Sequence, residues 1–282
     1  MKYEYQKKDT KLSFSGAVNK LRAKHDVKIV RYINHQHPAR TECIKEKLEK
    51  NGIPVNRIKI SKNEYNDYIK RASYNEEYYS DNIIEKRLEH FICYKLLKLS
   101  DKDVFVDIAS EHSPLCEIMQ RLTGCKGFMQ DIMYPSGIHD NRIGSDAAVL
   151  PVPDCFFSSA SATCSLEHFE GDTDIRFMKE MRRVLRPGGK VVIVPLYLYP
   201  TACYVTDPIM SVPGEVPFDA PVLCIENWGN RHARFYSPET LKERLITHNP
   251  DMEFQILLLE NPNDFSDPVH CYCRFIMIGI KK

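Results

Sequence analysis

From about residue 101 to residue 197, apolar runs of strand length alternate with stretches of helical length, and no other feature restricts the fold as strongly. Val104-Phe-Val-Asp-Ile-Ala109 ends in small residues, as a buried parallel strand does. Ser113-Pro114 then offers an N-cap and a first-turn proline for a helix through about Leu122. A second strand is expected near 127–130, closing at Asp131, and a third over 156–161. A helix should follow over 172–186. Pro187-Gly188-Gly189 stops it, and Lys190-Val-Val-Ile-Val-Pro195 is the clearest strand in the chain. Strands and helices alternating at this spacing build βαβ units, and hence an α/β fold with a parallel sheet.

The flanking regions read differently. Residues 1–100 look mainly helical, with a helix over 39–51 that ends at Gly52 and Pro54. Ser61-Lys-Asn-Glu64 has the form of a capping box. The stretch 65–79 is dense in tyrosine. After Asp81, Ile84, Leu88, Phe91 and Ile92 fall on one helical stripe. Beyond Pro200, prolines and aromatics without period give way to a helix from Ser237 and two strands, 253–259 and 271–280. The expected division is therefore an N-terminal region 1–100, a candidate substrate lid, and a core 101–282 with a cap insertion at about 198–236.

Composition narrows the function classes. Lys and Arg number 39 against 38 Asp and Glu, a net charge of +1, which leaves no electrostatic footprint for nucleic acid or an anionic membrane. No apolar run reaches the length of a membrane helix, and the charged N-terminus has no apolar stretch behind it, so a cytoplasmic protein is expected. The ten cysteines are scattered and read as reduced thiols. Cys271 and Cys273 stand beside His270, but no second ligand pair has zinc-site spacing, so packed strand cysteines are expected there.

In a wound parallel sheet, ligands sit at the carboxyl ends of the strands. Asp107 and Asp131 close the first two strands and Ser145-Asp146-Ala147 precedes the next segment. A carboxylate closing the second strand can accept from both ribose hydroxyls of a nucleoside, or it can simply cap a turn. The order of later segments adds to this: Asp146-Ala-Ala-Val-Leu-Pro-Val-Pro-Asp-Cys-Phe156, then Ser165-Leu-Glu-His-Phe169, then MKEMRRVLRPGGKVVIV over 178–194. The series resembles the class I S-adenosylmethionine-dependent methyltransferases, and more closely their small-molecule branch. The resemblance covers about 101–197. It implies a Rossmann-like sheet of seven strands, the last antiparallel, with helices on both faces. It also implies S-adenosyl-L-methionine as cofactor.

The first motif departs from that family. Its three alternating glycines are replaced by Ala109, Glu111 and Ser113. Ala and Ser can take the tight turn if φ stays negative. Glu111 could accept from the cofactor's ammonium group, face solvent, or mark a degenerate pocket. Position by position, the resemblance implies Asp107 at the first strand end, Asp131 on the ribose, and Asp146 with Ala147 at the adenine. Ala109, Ser110 and Ser113 would line the methionine portion, and Ser161 with Ala162 the floor beneath the sulfonium.

The segment containing Glu167 and His168 faces the substrate in this family, which makes His168 the first candidate general base and Glu167 the second. The alternative for each is a structural hydrogen bond. Members that use a metal there carry an acidic residue three positions before the Glu; Cys164 stands at that position, and no metal is expected. Tyr78, Tyr79, Trp228, His232, Arg234 and Tyr236 are the candidate substrate contacts, or else they fill the seam between cap and core. The expected activity is methyl transfer to a small-molecule hydroxyl, a sugar or glycan precursor among the candidates. N-methylation of an amine and a non-catalytic binding protein are the alternatives. An NAD-dependent oxidoreductase would need glycines between Ala109 and Ser113, and there are none.

Overall fold

The computed structural model describes residues 12–33, 37–75, 82–211, 216–266 and 271–282. Its layers follow from simple alternation. In the run Val191-Val192-Ile193-Val194, Val191 and Ile193 enter one apolar core while Val192 and Val194 enter another, on the opposite face of the same strand. The strands are β1 (Val27–Ile29), β2 (Val55–Ile58), β3 (Val104–Ile108), β4 (Lys126–His139), β5 (Arg142–Gly144), β6 (Phe157–Thr163), β7 (Leu185–Val194), β8 (Cys203–Thr206), β9 (Val222–Cys224), β10 (Ala233–Phe235), β11 (Met252–Leu259) and β12 (Phe275–Lys281). The longer helices are α1 (Phe14–Arg22), α2 (Pro38–Lys50), α3 (Lys62–Ala72), α4 (Ile83–Leu97), α5 (Leu115–Thr123) and α6 (Thr173–Val184).

The main sheet has the order β5-β4-β3-β6-β7-β12-β11-β2. β12 runs against its neighbours, as does the returning end of β4 where Ile138 and His139 face Ile143 and Arg142; the other pairings are parallel. From β3 the chain winds out to β4 and β5, then crosses back to β6 on the other side of β3. That reversal opens a crevice at the carboxyl ends of β3 and β6, the place where wound sheets bind ligands. Helices cover both faces. Phe177, Met178, Met181 and Val184 of α6 are buried with Val191 and Ile193 on one side. Leu88, Phe91 and Ile92 of α4 and Leu115, Ile118 and Met119 of α5 are buried with Val192 and Val194 on the other.

The sheet has eight strands where seven are expected, because β2 pairs in parallel with β11. The expected boundary at residue 100 therefore separates no independent region: β2 is a strand of the core sheet, and α4 packs on it. Ile84, assigned to the buried stripe, is 54% exposed at the start of α4. The Pro187-Gly188-Gly189 turn does not lie between elements but inside β7, whose pairing with β6 shifts register there. The cap insertion is not irregular. It supplies β8, β9 and β10, which join β1 in a second sheet of order β1-β9-β8-β10. Among the described residues no helix is long and apolar enough to cross a membrane.

One glycine shapes the crevice. β4 pairs with β5 through Asp131, then folds back over it at Tyr134 and Pro135. A Cβ on Gly144 would lie 1.9 Å from the Pro135 carbonyl oxygen, so only glycine allows this crossing. The crossing leaves Ile132 and Met133 half-exposed beside Asp131.

Candidate active site

The loop leaving β3 carries two residues in left-handed backbone, Ala109 at φ +51° and Glu111 at φ +43°. Residues with side chains seldom enter that region, which glycine enters freely. Ala109 and Glu111 stand at two of the three alternate positions where glycines are expected, so the chain follows a glycine path without glycine. This corrects the expectation that φ would stay negative at Ala109. The end of β4 holds the loop in place. The Ala109 N–H donates to Gln130 Oε1 (3.1 Å), the Ser110 N–H to the Gln130 carbonyl (2.9 Å) and the Glu111 N–H to Asp131 Oδ2 (2.9 Å). The Tyr134 hydroxyl donates to the Glu111 carbonyl. Because the conformation is imposed by these bonds rather than by the residue, Ala109→Gly should stabilise the fold by about 0.5–1 kcal/mol, measured by urea denaturation. Destabilisation would show that the methyl group contributes packing that outweighs the strain.

A cavity of about 250 Å³ opens beside this loop. Ala109, Asp131, Asp146 and Ala147 line one end, with Ile132 and Met133, and His168 and His232 line the other. Asp131 is 6% exposed, and its other oxygen, Oδ1, accepts from the Met133 N–H (2.8 Å). Each carboxylate oxygen keeps a second lone pair, so further acceptor capacity remains. Asp146 Oδ1 accepts from the Ala148 N–H (2.9 Å) while Oδ2 lies 3.5 Å from Arg176. Gln130, unforeseen from the sequence, also lines the cavity. Its amide ties the first loop to the Ser145 carbonyl (2.6 Å). The available signal was an amide within an otherwise apolar strand.

At the far end, Leu166–His168 form a short 3-10 turn after β6, and Arg231 with His232 enter just before β10. The His168 Nδ1–H donates to the His232 carbonyl (2.6 Å). A carbonyl can only accept, so the proton is on Nδ1 and the Nε2 lone pair is available. Burial pushes the His168 pKa down to about 4, leaving the ring neutral near pH 7. Glu167 lies beneath, 2% exposed, with Oε1 3.8 Å from His168 Nε2; burial raises its pKa to about 8. Arg231 and Glu170 pair with each other on the cavity wall.

Several expected site residues lie elsewhere. Asp107 is fully buried behind the loop, where it accepts from the Ser161 hydroxyl (2.6 Å), and burial raises its pKa to about 7. Ser161 and Ala162 are thus inside the sheet and form no floor of the cavity. Ser110 and Ser113 are buried; Ser110 Oγ bonds to the Gln130 carbonyl and Tyr134 (3.4 and 3.2 Å) and Ser113 Oγ accepts from the Leu115 N–H (3.2 Å). Glu111 contributes through its backbone, and its side chain is not on the cavity wall. Trp228 donates from the cap to the Tyr272 hydroxyl (3.4 Å), just before β12. Arg234 and Tyr236 line a separate cavity, because Asp219 and the Gly171 carbonyl recruit the guanidinium away from the crevice. Tyr78 and Tyr79 lie outside the described residues. Among the described residues no cluster of His, Cys, Asp and Glu is arranged to hold a metal.

Residues 133–193 match the family described as "Methyltransferase domain". The match begins two residues past Asp131, after the atypical loop. The sequence matches none of the curated proteins. Among solved structures, a chain of the complex of the Haloferax volcanii Trm112 methyltransferase activator is 12% identical, with 78% of this chain and 96% of that one covered and a TM-score of 0.48. The Burkholderia thailandensis 1,6-didemethyltoxoflavin-N1-methyltransferase, solved with 1,6-didemethyltoxoflavin and S-adenosylhomocysteine, is 14% identical over 77% and 86%, with a TM-score of 0.46. These values describe a distant likeness only.

The cofactor of a methyltransferase domain is S-adenosyl-L-methionine, and the crevice suits it on its own terms. The strained loop approaches the cavity as a glycine loop would. Among the described residues, the buried side-chain polar atoms without a hydrogen-bond partner include the Ser165 hydroxyl and both ring nitrogens of His232, whose residues line the cavity, and atoms of Asp107, Ser145 and Glu167 behind it. Unpartnered buried polar atoms are costly, so their concentration marks a place prepared for a polar ligand.

Proposed function

We propose that this chain is an S-adenosylmethionine-dependent methyltransferase that serves a small-molecule acceptor at oxygen, a sugar or glycan precursor being the class considered, with His168 as general base. The cofactor supplies a methyl group on a sulfonium, a leaving group that needs no protonation. Asp131 would hold the ribose hydroxyls, Asp146 and Ala147 the adenine, and Ala109 the methionine end. The observation that carries the choice of oxygen is the tautomer of His168. With Nδ1–H committed to the His232 carbonyl, Nε2 is held as an acceptor on the cavity wall. A hydroxyl must lose its proton as the new bond forms, and a neutral imidazole within reach takes it. An amine that is already neutral needs no such help, whereas an alkylammonium would also have to give up a proton, and the acceptor panel below separates the two.

Calorimetry with S-adenosylhomocysteine, followed by transfer of labelled methyl from S-adenosylmethionine to a panel of alcohols, phenols, hexosides and amines, tests the reading. Saturable binding and label in an ether are expected. Label in amines alone would replace oxygen by nitrogen as the acceptor atom, and no binding would favour a non-catalytic role.

A further inference from the structure

Beyond the general base, the acceptor end of the cavity holds polar groups that nothing in the protein uses. His232 is 2% exposed, and neither ring nitrogen has a hydrogen-bond partner. The Ser165 hydroxyl, on the same wall, has none either. The His232 ring is held edge-on to His168 (centroids 5.9 Å, planes at 87°), with Tyr204 and Phe218 at 6.2 and 6.3 Å. It is therefore fixed by packing, and its backbone carbonyl is what orients His168.

The charges of this wall cancel. Arg231 and Glu170 are paired with each other, and burial favours the neutral form of both imidazoles. A carboxylate or phosphate in the acceptor would need an uncommitted cation here, and an ammonium an ionised carboxylate, whereas burial favours the protonated form of Glu167, whose oxygens have no partner. A neutral imidazole and a serine hydroxyl together offer both donors and acceptors, and the group that answers both is another hydroxyl. Resting on the oxygen-methylation reading above, we infer that His232 and Ser165 bind a second hydroxyl of the acceptor, next to the one that His168 deprotonates, so that the substrate is an uncharged diol. His232 is then a specificity-determining residue.

The test uses the full chain, S-adenosylmethionine and two matched sets of acceptors: catechol against phenol, and a methyl hexoside against its uronate and amino-sugar counterparts. Wild type is expected to prefer the uncharged diol of each set by at least about 10-fold in kcat/KM, the scale of one hydrogen bond to a buried group. In His232→Phe, KM for the diol should rise roughly 10–100-fold and the preference of catechol over phenol should vanish, with His232→Asn restoring part of it. S-adenosylhomocysteine affinity, measured on the same variants, should stay at the wild-type value and certifies the fold. A preference for charged acceptors, a diol preference surviving in His232→Phe, or cofactor binding without transfer to either uncharged diol would overturn the inference. Failure of the wild type to bind S-adenosylhomocysteine would instead sink the methyltransferase reading beneath it.

Discussion

His168→Ala is expected to lower turnover by roughly 10²–10⁴-fold while leaving S-adenosylhomocysteine affinity unchanged, the range lost when a positioned general base is removed. The pH profile gives an independent signature. An exposed histidine would impose an acid limb near pH 6.5. Burial lowers the His168 pKa to about 4, so the basic, neutral form persists on acidification and the rate should hold until the pH nears that value. The same depression affects stability with a definite sign. The unfolded chain begins to bind protons near pH 6.5 while the folded ring resists, so stability is lost as pH falls from there toward 4. His90, lowered by burial to about 3, acts in the same direction. Circular dichroism at each pH separates acid unfolding from protonation of the base. Near-normal turnover in His168→Ala, or an acid limb in folded protein that is the same in wild type and His168→Ala, would remove His168 from the chemistry and leave alignment to supply the rate.

The sheet was legible where burial acts on both faces of a strand. Runs such as Val104–Val106 and Val191–Val194 are apolar at every position because α-helices cover both sides, and such runs announce themselves. β2 did not. Val-Asn-Arg-Ile is a four-residue edge strand with two polar positions, and only its pairing with β11, some 200 residues away, makes it a strand. The cap strands β1, β9 and β10 have three residues each, too few for a period, and exist through contacts with one another. Asp131 could be placed on the cavity as a strand end and Asp146 through the family resemblance, whereas Asp107, an equally clear strand end, is buried behind the loop. Arg234 could not, because the partners that turn it aside, Asp219 and Gly171, are chosen by the cap's packing and not by neighbours in sequence. Nor could left-handed backbone at Ala109 and Glu111 be read from residues that ordinarily avoid it; the bonds from Gln130 and Asp131 impose it.

Those bonds give Asp131 two tasks, and substitution there should expose both. As a ligand group its carboxylate would accept from the ribose hydroxyls, and as a brace it holds the Glu111 and Met133 N–H groups at 2.9 and 2.8 Å. Hydrogen bonds to a charged group contribute about 1.5–3 kcal/mol each, so loss of both ribose contacts in Asp131→Ala should weaken S-adenosylhomocysteine binding by roughly 10²–10⁴-fold in calorimetry. Stability should fall as well, since two part-buried N–H groups lose their acceptor, and the loop loses one of the bonds that hold Glu111 at positive φ. Asp131→Asn separates the tasks. An amide oxygen can still accept from one N–H, but its NH₂ group faces the other donor without complement. The fold should therefore recover in part while the ribose contact stays impaired. If Asp131→Asn bound the cofactor like wild type, or if folded Asp131→Ala did so, the carboxylate would be a brace alone. Nucleoside recognition would then have to come from Asp146 and the apolar wall of Ile132 and Met133.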